Sequence, residues 1–207
     1  MENLYVQFGC GMCAPPGWTN FDASPTLGYE RIPVIGRLYR KNDRRFPENV
    51  RYGDIVRGLP VALESCQGIY SSHVLEHLAY EDCLRALRNT FRYLKTGGTF
   101  RLIVPDLEQL ARAYLASSDQ SPARRFMEVS DLGLQKRPRG LRSFFIAWLG
   151  NSAHMWMWDE RSMTTALAET GFRKIRRASF GDAEDVRFAE VEIAARFDGC
   201  LAMQCRK

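Results

Sequence analysis

Short apolar runs alternate with helical periodicities along this chain. Leu4 to Phe8 reads as a first strand that runs directly into Gly9-Cys10-Gly11. Trp18 to Asp22 reads as a second, ending in an acid, and Asn49 to Tyr52 as a third. Gly68-Ile69-Tyr70 is a buried strand that turns polar at Ser71-Ser72-His73 and helical in pattern through Val74 to Leu78. From Tyr80 to Lys95, Leu84, Leu87, Phe91 and Leu94 recur at helical spacing, and Thr96-Gly97-Gly98 stops that helix as a C-terminal glycine does. Thr99 to Val104 is the next strand. Pro105-Asp106 closes it, and Asp106 with Gln109 resembles a capping box for a helix carried on Leu107, Leu110, Ala111 and Tyr114. Asp159 starts a last helix over Met163, Ala166, Leu167 and Thr170, ended by Gly171. Phe172 to Phe180 and Leu201 to Cys205 then read as an antiparallel edge pair of the kind mixed sheets carry. The expected class is α/β, with a doubly wound, mostly parallel sheet.

Two stretches break this rhythm. Residues 24–49 are irregular and rich in Pro, Gly, Arg and Tyr, with one short helix expected at Ile35–Arg40. Residues 117–158 form a helical, aromatic-rich insertion, with helical patches expected near 123–131 and 140–150. A third departure is an omission. Only ten residues separate Gly11 from Asp22, against roughly twenty in a dinucleotide fold. Met12 to Trp18 holds two prolines, so the first crossover helix is expected to be missing.

Composition narrows the class further. The 207 residues suit a single domain, and 45% hydrophobic with 26% charged residues is an ordinary globular balance. No apolar run reaches the ~18 residues of a spanning helix. The N-terminus carries Glu2 and no basic segment, so no secretory signal is read there, and the expected compartment is the cytoplasm. Six cysteines are scattered along the chain. Cys10 and Cys13 form a CxxC with no second pair to complete a zinc site, so free thiols are expected and no metal. The net charge of +5 gathers at residues 37–45 and 136–142, in loops that either attract an anion or are simply solvated. No nucleic-acid-binding module and no membrane segment is visible.

Open α/β sheets bind ligands outside the carboxyl ends of their strands, and the candidate chemistry falls there. Glycines at 9 and 11 let the backbone approach a ligand closely. Asp22 can accept from the hydroxyls of a ribose, or cap the turn before Ser24-Pro25. Asp54 with Ile55 can hold an adenine, or make a turn. His73 and His154 are candidate bases for a hydroxyl acceptor, and Glu76 and His77 are expected to orient the turn. Trp156 and Trp158 either stack on a flat substrate such as a sugar or seal the core.

Phe8-Gly9-Cys10-Gly11, Gly17-Trp18-Thr19-Asn20-Phe21-Asp22, Gly53-Asp54-Ile55, Ser71-Ser72-His73-Val74-Leu75-Glu76-His77-Leu78 and Leu94-Lys95-Thr96-Gly97-Gly98 resemble the class I S-adenosylmethionine-dependent methyltransferases. More narrowly, the chain looks like small bacterial methyltransferases often met among surface-polysaccharide functions. The resemblance implies a Rossmann-like sheet of about seven strands with its last strand antiparallel. It implies S-adenosylmethionine as cofactor, with Gly9 and Gly11 at the methionine end, Asp22 on the ribose, and Asp54 and Ile55 around the adenine. Ser71, Ser72 and His73 would lie beside the sulfonium. Two features depart from the family pattern: the first-strand loop lacks the third glycine and the usual acid, near whose place Gln7 stands, and the first helix is missing. The leading expectation is methyl transfer to the oxygen of a sugar or another small polar acceptor. Its rival is a non-catalytic protein on the same fold that binds a nucleoside or a partner protein. An RNA substrate ranks below both.

Overall fold

The computed structural model describes residues 3–32, 45–133 and 153–207. Its strands are β1 (Leu4–Phe8), β2 (Thr19–Asp22), β3 (Val50–Tyr52), β4 (Cys66–Ser72), β5 (Leu94–Pro105), β6 (Arg173–Arg177) and β7 (Cys200–Arg206). They form one sheet in the order β3-β2-β1-β4-β5-β7-β6. The first five run parallel, and β7 runs antiparallel to both its neighbours. The expected α/β architecture is therefore the observed one, although the antiparallel strand lies one place in from the edge, between β5 and β6. The helices are α1 (Pro25–Glu30), α2 (Tyr80–Tyr93), α3 (Leu107–Leu115), α4 (Pro122–Val129) and α5 (Glu160–Thr170). Among the described residues no helix is long and apolar enough to cross a membrane.

The period-2 alternation of the strands sorts the core into two layers. Val6, Phe8, Phe21, Ile69, Phe100 and Leu102 face one side, where α2 and α5 cover them with Cys83, Ala86, Leu87, Met163 and Leu167. Tyr5, Tyr70, Ile103 and Ala202 face the other side. No helix joins β1 to β2, as the spacing predicts. The second face is closed instead by the segment between β6 and β7, two short 3-10 turns at Val186–Glu190 and Ala194–Arg196. Phe188 and Val191 are the fully buried members of that segment. Trp18 bridges the gap, 5.3 Å from the Tyr5 ring and 5.5 Å from Phe188. The Tyr5 hydroxyl donates to Asp185 at 2.6 Å.

This second face also holds a buried cation. Arg101 on β5 is 2% exposed. It donates through Nε to Glu192 at 2.7 Å and through Nη1 to Asp182 at 2.9 Å and Gln204 at 2.7 Å. Burying an unpaired guanidinium would be costly, so these acceptors make the covering segment and Arg101 mutually dependent.

Several local expectations are corrected. Helix α2 does not end on its glycines: its C-cap is Leu94 in an extended conformation, and β5 begins there, so Thr96-Gly97-Gly98 belongs to the strand. The deeply buried stripe of α2 is Cys83, Ala86, Leu87 and Thr90, with Leu84 and Phe91 only partly buried beside it. In residues 24–49 a helix stands at Pro25–Glu30, where Ser24 caps it and Pro25 opens it; the helix expected at 35–40 lies outside the described residues, as does the patch at 140–150. The Val74–Leu78 stretch is a single 3-10 turn, Leu75–His77. Asp106 caps α3 by accepting from the N–H groups of Glu108 and Gln109. The reciprocal capping box belongs to Asp159 and Ser162 at α5. Helix α3 buries none of its residues fully.

Candidate functional site

The carboxyl ends of β1, β2 and β4 meet at one edge, with Phe8 registered beside both Phe21 and Ser71. The chain leaves β1 through Gly9 and Gly11, both in the left-handed region at φ +66° and +53°, which residues with a Cβ rarely enter. Gly9 is also hemmed in, because a Cβ there would stand 2.0 Å from Val74 Cγ2. A Cβ on Gly11 would meet nothing within 4 Å, so that peptide faces open space. The Gly11 N–H donates to Asp22 Oδ2 at 2.9 Å, and the Ser24 N–H donates to Oδ1 at 2.7 Å. Asp22 is thus fixed by the glycine turn on one side and by the start of α1 on the other.

An ionised carboxylate has about four lone-pair sites, and these two bonds leave Asp22 with free acceptor capacity on each oxygen. Ser71 Oγ, next along the edge, is buried without a hydrogen-bond partner. A free acceptor pair, an unpartnered buried hydroxyl and an open glycine peptide suit a ribose-bearing cofactor whose far end lies against the backbone. Ser72 is buried beside them. Asp54 is half-buried and shapes its own turn, with Oδ1 accepting from the Val56 N–H at 2.8 Å. The Ile55 side chain is buried in the main core.

Cys10 and Cys13 are free thiols, as are the other four cysteines. Burial pushes the Cys10 thiol up to about 12, and the neighbouring Asp22 carboxylate adds to this. A thiol held there is a poor nucleophile and metal ligand. The positive charge of Arg196 reaches both Cys10 and Tyr70. Sequence reasoning missed Arg196, because nothing in its neighbourhood marks it; only the fold brings it to the glycine turn.

His73 follows β4 with φ +56°, a strained conformation for a residue with a side chain. Its ring is held on both sides. Nδ1 lies 3.2 Å from Glu76 Oε1, and Nε2 lies 3.2 Å from the Arg196 carbonyl oxygen and 3.9 Å from Cys200 Sγ. Cys200 and Glu76 together raise its pKa to about 10. A ring that faces acceptors at both nitrogens keeps both protons. His154 also lies close to Glu76, its ring centroid 4.9 Å from that of His77. The backbone joins these parts, since the N–H groups of Met155 and Trp156 both donate to the Glu76 carbonyl, at 2.7 and 3.1 Å. The structure therefore brings His73 and His154 to one carboxylate, together with Glu76 and His77. Beside them the Tyr80 ring lies tilted 4.8 Å from Trp156 and stacks 5.9 Å from Trp158. Trp158 is buried, but Trp156 and Tyr80 remain 43% and 38% exposed.

A seven-stranded sheet in this order, with a glycine turn and an acid at adjacent strand ends, defines the class I methyltransferase architecture. A methyltransferase-domain family model matches residues 14–176. The chain belongs to that family, the S-adenosylmethionine-dependent methyltransferases. Solved structures share the fold at low identity. A methyltransferase from Thermotoga maritima superposes with a TM-score of 0.53 at 17% identity, over 100% of this chain and 83% of that one. One from Archaeoglobus fulgidus gives 0.52 at 14%, over 99% and 86%. PigF with S-adenosylhomocysteine gives 0.53 at 15%, and there this chain spans 50% of the other's length. No curated protein matches the sequence.

Proposed function

We propose that the chain methylates a hydroxyl oxygen of a small polar acceptor, a sugar or sugar-like molecule, as in surface-polysaccharide chemistry. The observation that carries this reading is the half-exposed Tyr80–Trp156 pair beside the strand edge, an apolar shelf of the kind that stacks on the flat face of a sugar ring. When bound, S-adenosylmethionine supplies a methyl group on a sulfonium, already a strong electrophile. The work left to the protein is binding and orientation, which alone can remove a large part of a barrier.

On this reading Asp22 takes the ribose hydroxyls with its free acceptor sites, while the peptides at Gly9 and Gly11 meet the methionine end. Asp54 and Ile55 frame the adenine. Ser71 and Ser72 line the floor between cofactor and acceptor. His73, held at both ring nitrogens, keeps the end of β4 in shape rather than taking a proton. His154 stands on the acceptor side. The six free thiols suit a reducing compartment, the cytoplasm.

The test is methyl transfer from labelled S-adenosylmethionine to a panel of monosaccharides, nucleotide sugars and amines, followed by mass spectrometry. A sugar acceptor should be methylated at oxygen. Trp156→Ala should raise the acceptor KM while S-adenosylhomocysteine affinity stays unchanged. Transfer to amines alone, or full activity in Trp156→Ala, removes the sugar reading.

A further inference from the structure

The chain has three histidines, and all three gather at Glu76. One ligating atom each from Glu76, His77 and His154 can be chosen so that all lie within 4.8 Å of one another. The Glu76 side chain is fully buried, and neither carboxylate oxygen receives an aligned hydrogen bond. His73 lies at ion-pair distance from Oε1 alone. Oε2 is buried with no donor, and a buried carboxylate oxygen in that state is costly unless a further cation satisfies it.

The two remaining rings are prepared in the same sense. His77 Nδ1 lies 3.2 Å from the Ala153 carbonyl, and His154 Nδ1 lies 2.7 Å from the Ser130 carbonyl. A carbonyl only accepts, so each Nδ1 carries the proton and each Nε2 is left with its lone pair. Metal-binding histidines are oriented in this way, with the far ring nitrogen donating to a backbone carbonyl or a carboxylate. The cluster lies one turn beyond the end of β4.

We infer that Glu76, His77 and His154 form a binding site for a divalent transition-metal ion. Two imidazoles and one carboxylate are the donor set of zinc and its first-row neighbours, and three protein ligands leave positions open for water or another oxygen ligand. Donors at ~2.1 Å from such an ion stand closer together than 4.8 Å, so binding draws the two half-buried rings inward. The site requires no particular acceptor. Its success or failure is read from ion binding and not from methyl transfer.

The experiment is titration of the chelator-treated full chain with Zn2+ by calorimetry, and with Co2+ followed by visible d–d absorption. One ion per chain is expected, with a Co2+ spectrum of nitrogen and oxygen ligation that lacks the intense thiolate charge-transfer band. His77→Ala and His154→Ala should each weaken binding by more than the ~10–100-fold that loss of a supporting hydrogen bond costs. If either alanine variant loses its native circular dichroism, the Gln variants at the same positions serve in its place. No saturable binding overturns the assignment. So does binding that survives in both histidine variants, or that is lost instead in Cys13→Ser and Cys200→Ser.

Discussion

At the turn after β1 a single methyl group decides whether the site can form. A Cβ on Gly9 would press to 2.0 Å against Val74, and the backbone there already sits at φ +66°. Gly9→Ala should therefore combine overpacking, which typically costs about 1–3 kcal/mol, with backbone strain. Chemical denaturation should show a loss in that range. A loss below about 0.5 kcal/mol would mean that the turn relaxes freely. Gly11 differs, since open space surrounds its missing side chain and the strain there is that of φ alone. The sequence made both glycines legible as a turn, but it could not tell them apart. The neighbour that separates them, Val74, arrives through tertiary packing. The same holds for Glu76: its acidity is visible in sequence, but Ala153, whose carbonyl orients His77, lies 76 residues further along.

Elements were legible where local pattern and burial agree. Helix α5 is the clearest case, with Asp159 at its start, Met163, Ala166 and Leu167 on its buried side, and Gly171 closing it at φ +112°. Asp159 accepts from the Ser162 N–H at 2.7 Å, and its own N–H is received by Ser162 Oγ at 3.3 Å. Asp159→Ala should cost about 1 kcal/mol of stability, and Asp159→Asn less, since Asn also caps well. Equal losses for the two would show that charge rather than hydrogen bonding makes the cap. Helix α2 was legible in extent but not in its end. Leu94 is fully buried, and the strand that carries it claims the residue before the glycines can act as a cap. Helix α1 was hidden because only six residues, Pro25–Glu30, hold it, too few to show a period.

Across the whole molecule, the face that a first crossover helix would cover is closed by the segment between β6 and β7. Its absence from the β1–β2 connection could be read from spacing and prolines. Its replacement could not, because Trp18, Tyr5 and Phe188 come from distant parts of the chain. Asp182 is one clasp of that cover. Burial works against its carboxylate, but hydrogen bonds from Arg176 and Arg101 outweigh this and hold its pKa below the ordinary value. A carboxylate depressed in the folded state contributes stability above its unfolded pKa, and that contribution is lost as pH falls through the folded one. Stability should therefore decline below about pH 4. Asp182→Asn should be less stable at neutral pH yet show a shallower decline in acid, read from urea midpoints across pH. An unchanged slope would mean that the clasp is not ionic.

The central claim is that the edge formed by Gly11, Asp22 and Ser71 holds S-adenosylmethionine although no helix follows β1. The most direct measurement is a thermal melt with S-adenosylhomocysteine, for the native chain and for Asp22→Ala. At about 100 times its dissociation constant a ligand that binds only the folded state adds about 2.7 kcal/mol. In a chain of this size that corresponds to roughly 5–11 °C in midpoint. The account predicts a shift of that order for the native chain and its loss in Asp22→Ala, with the variant still melting cooperatively. A cooperative melt of the native chain that S-adenosylhomocysteine leaves unmoved, or an Asp22→Ala variant that shifts as far as the native chain, would contradict it.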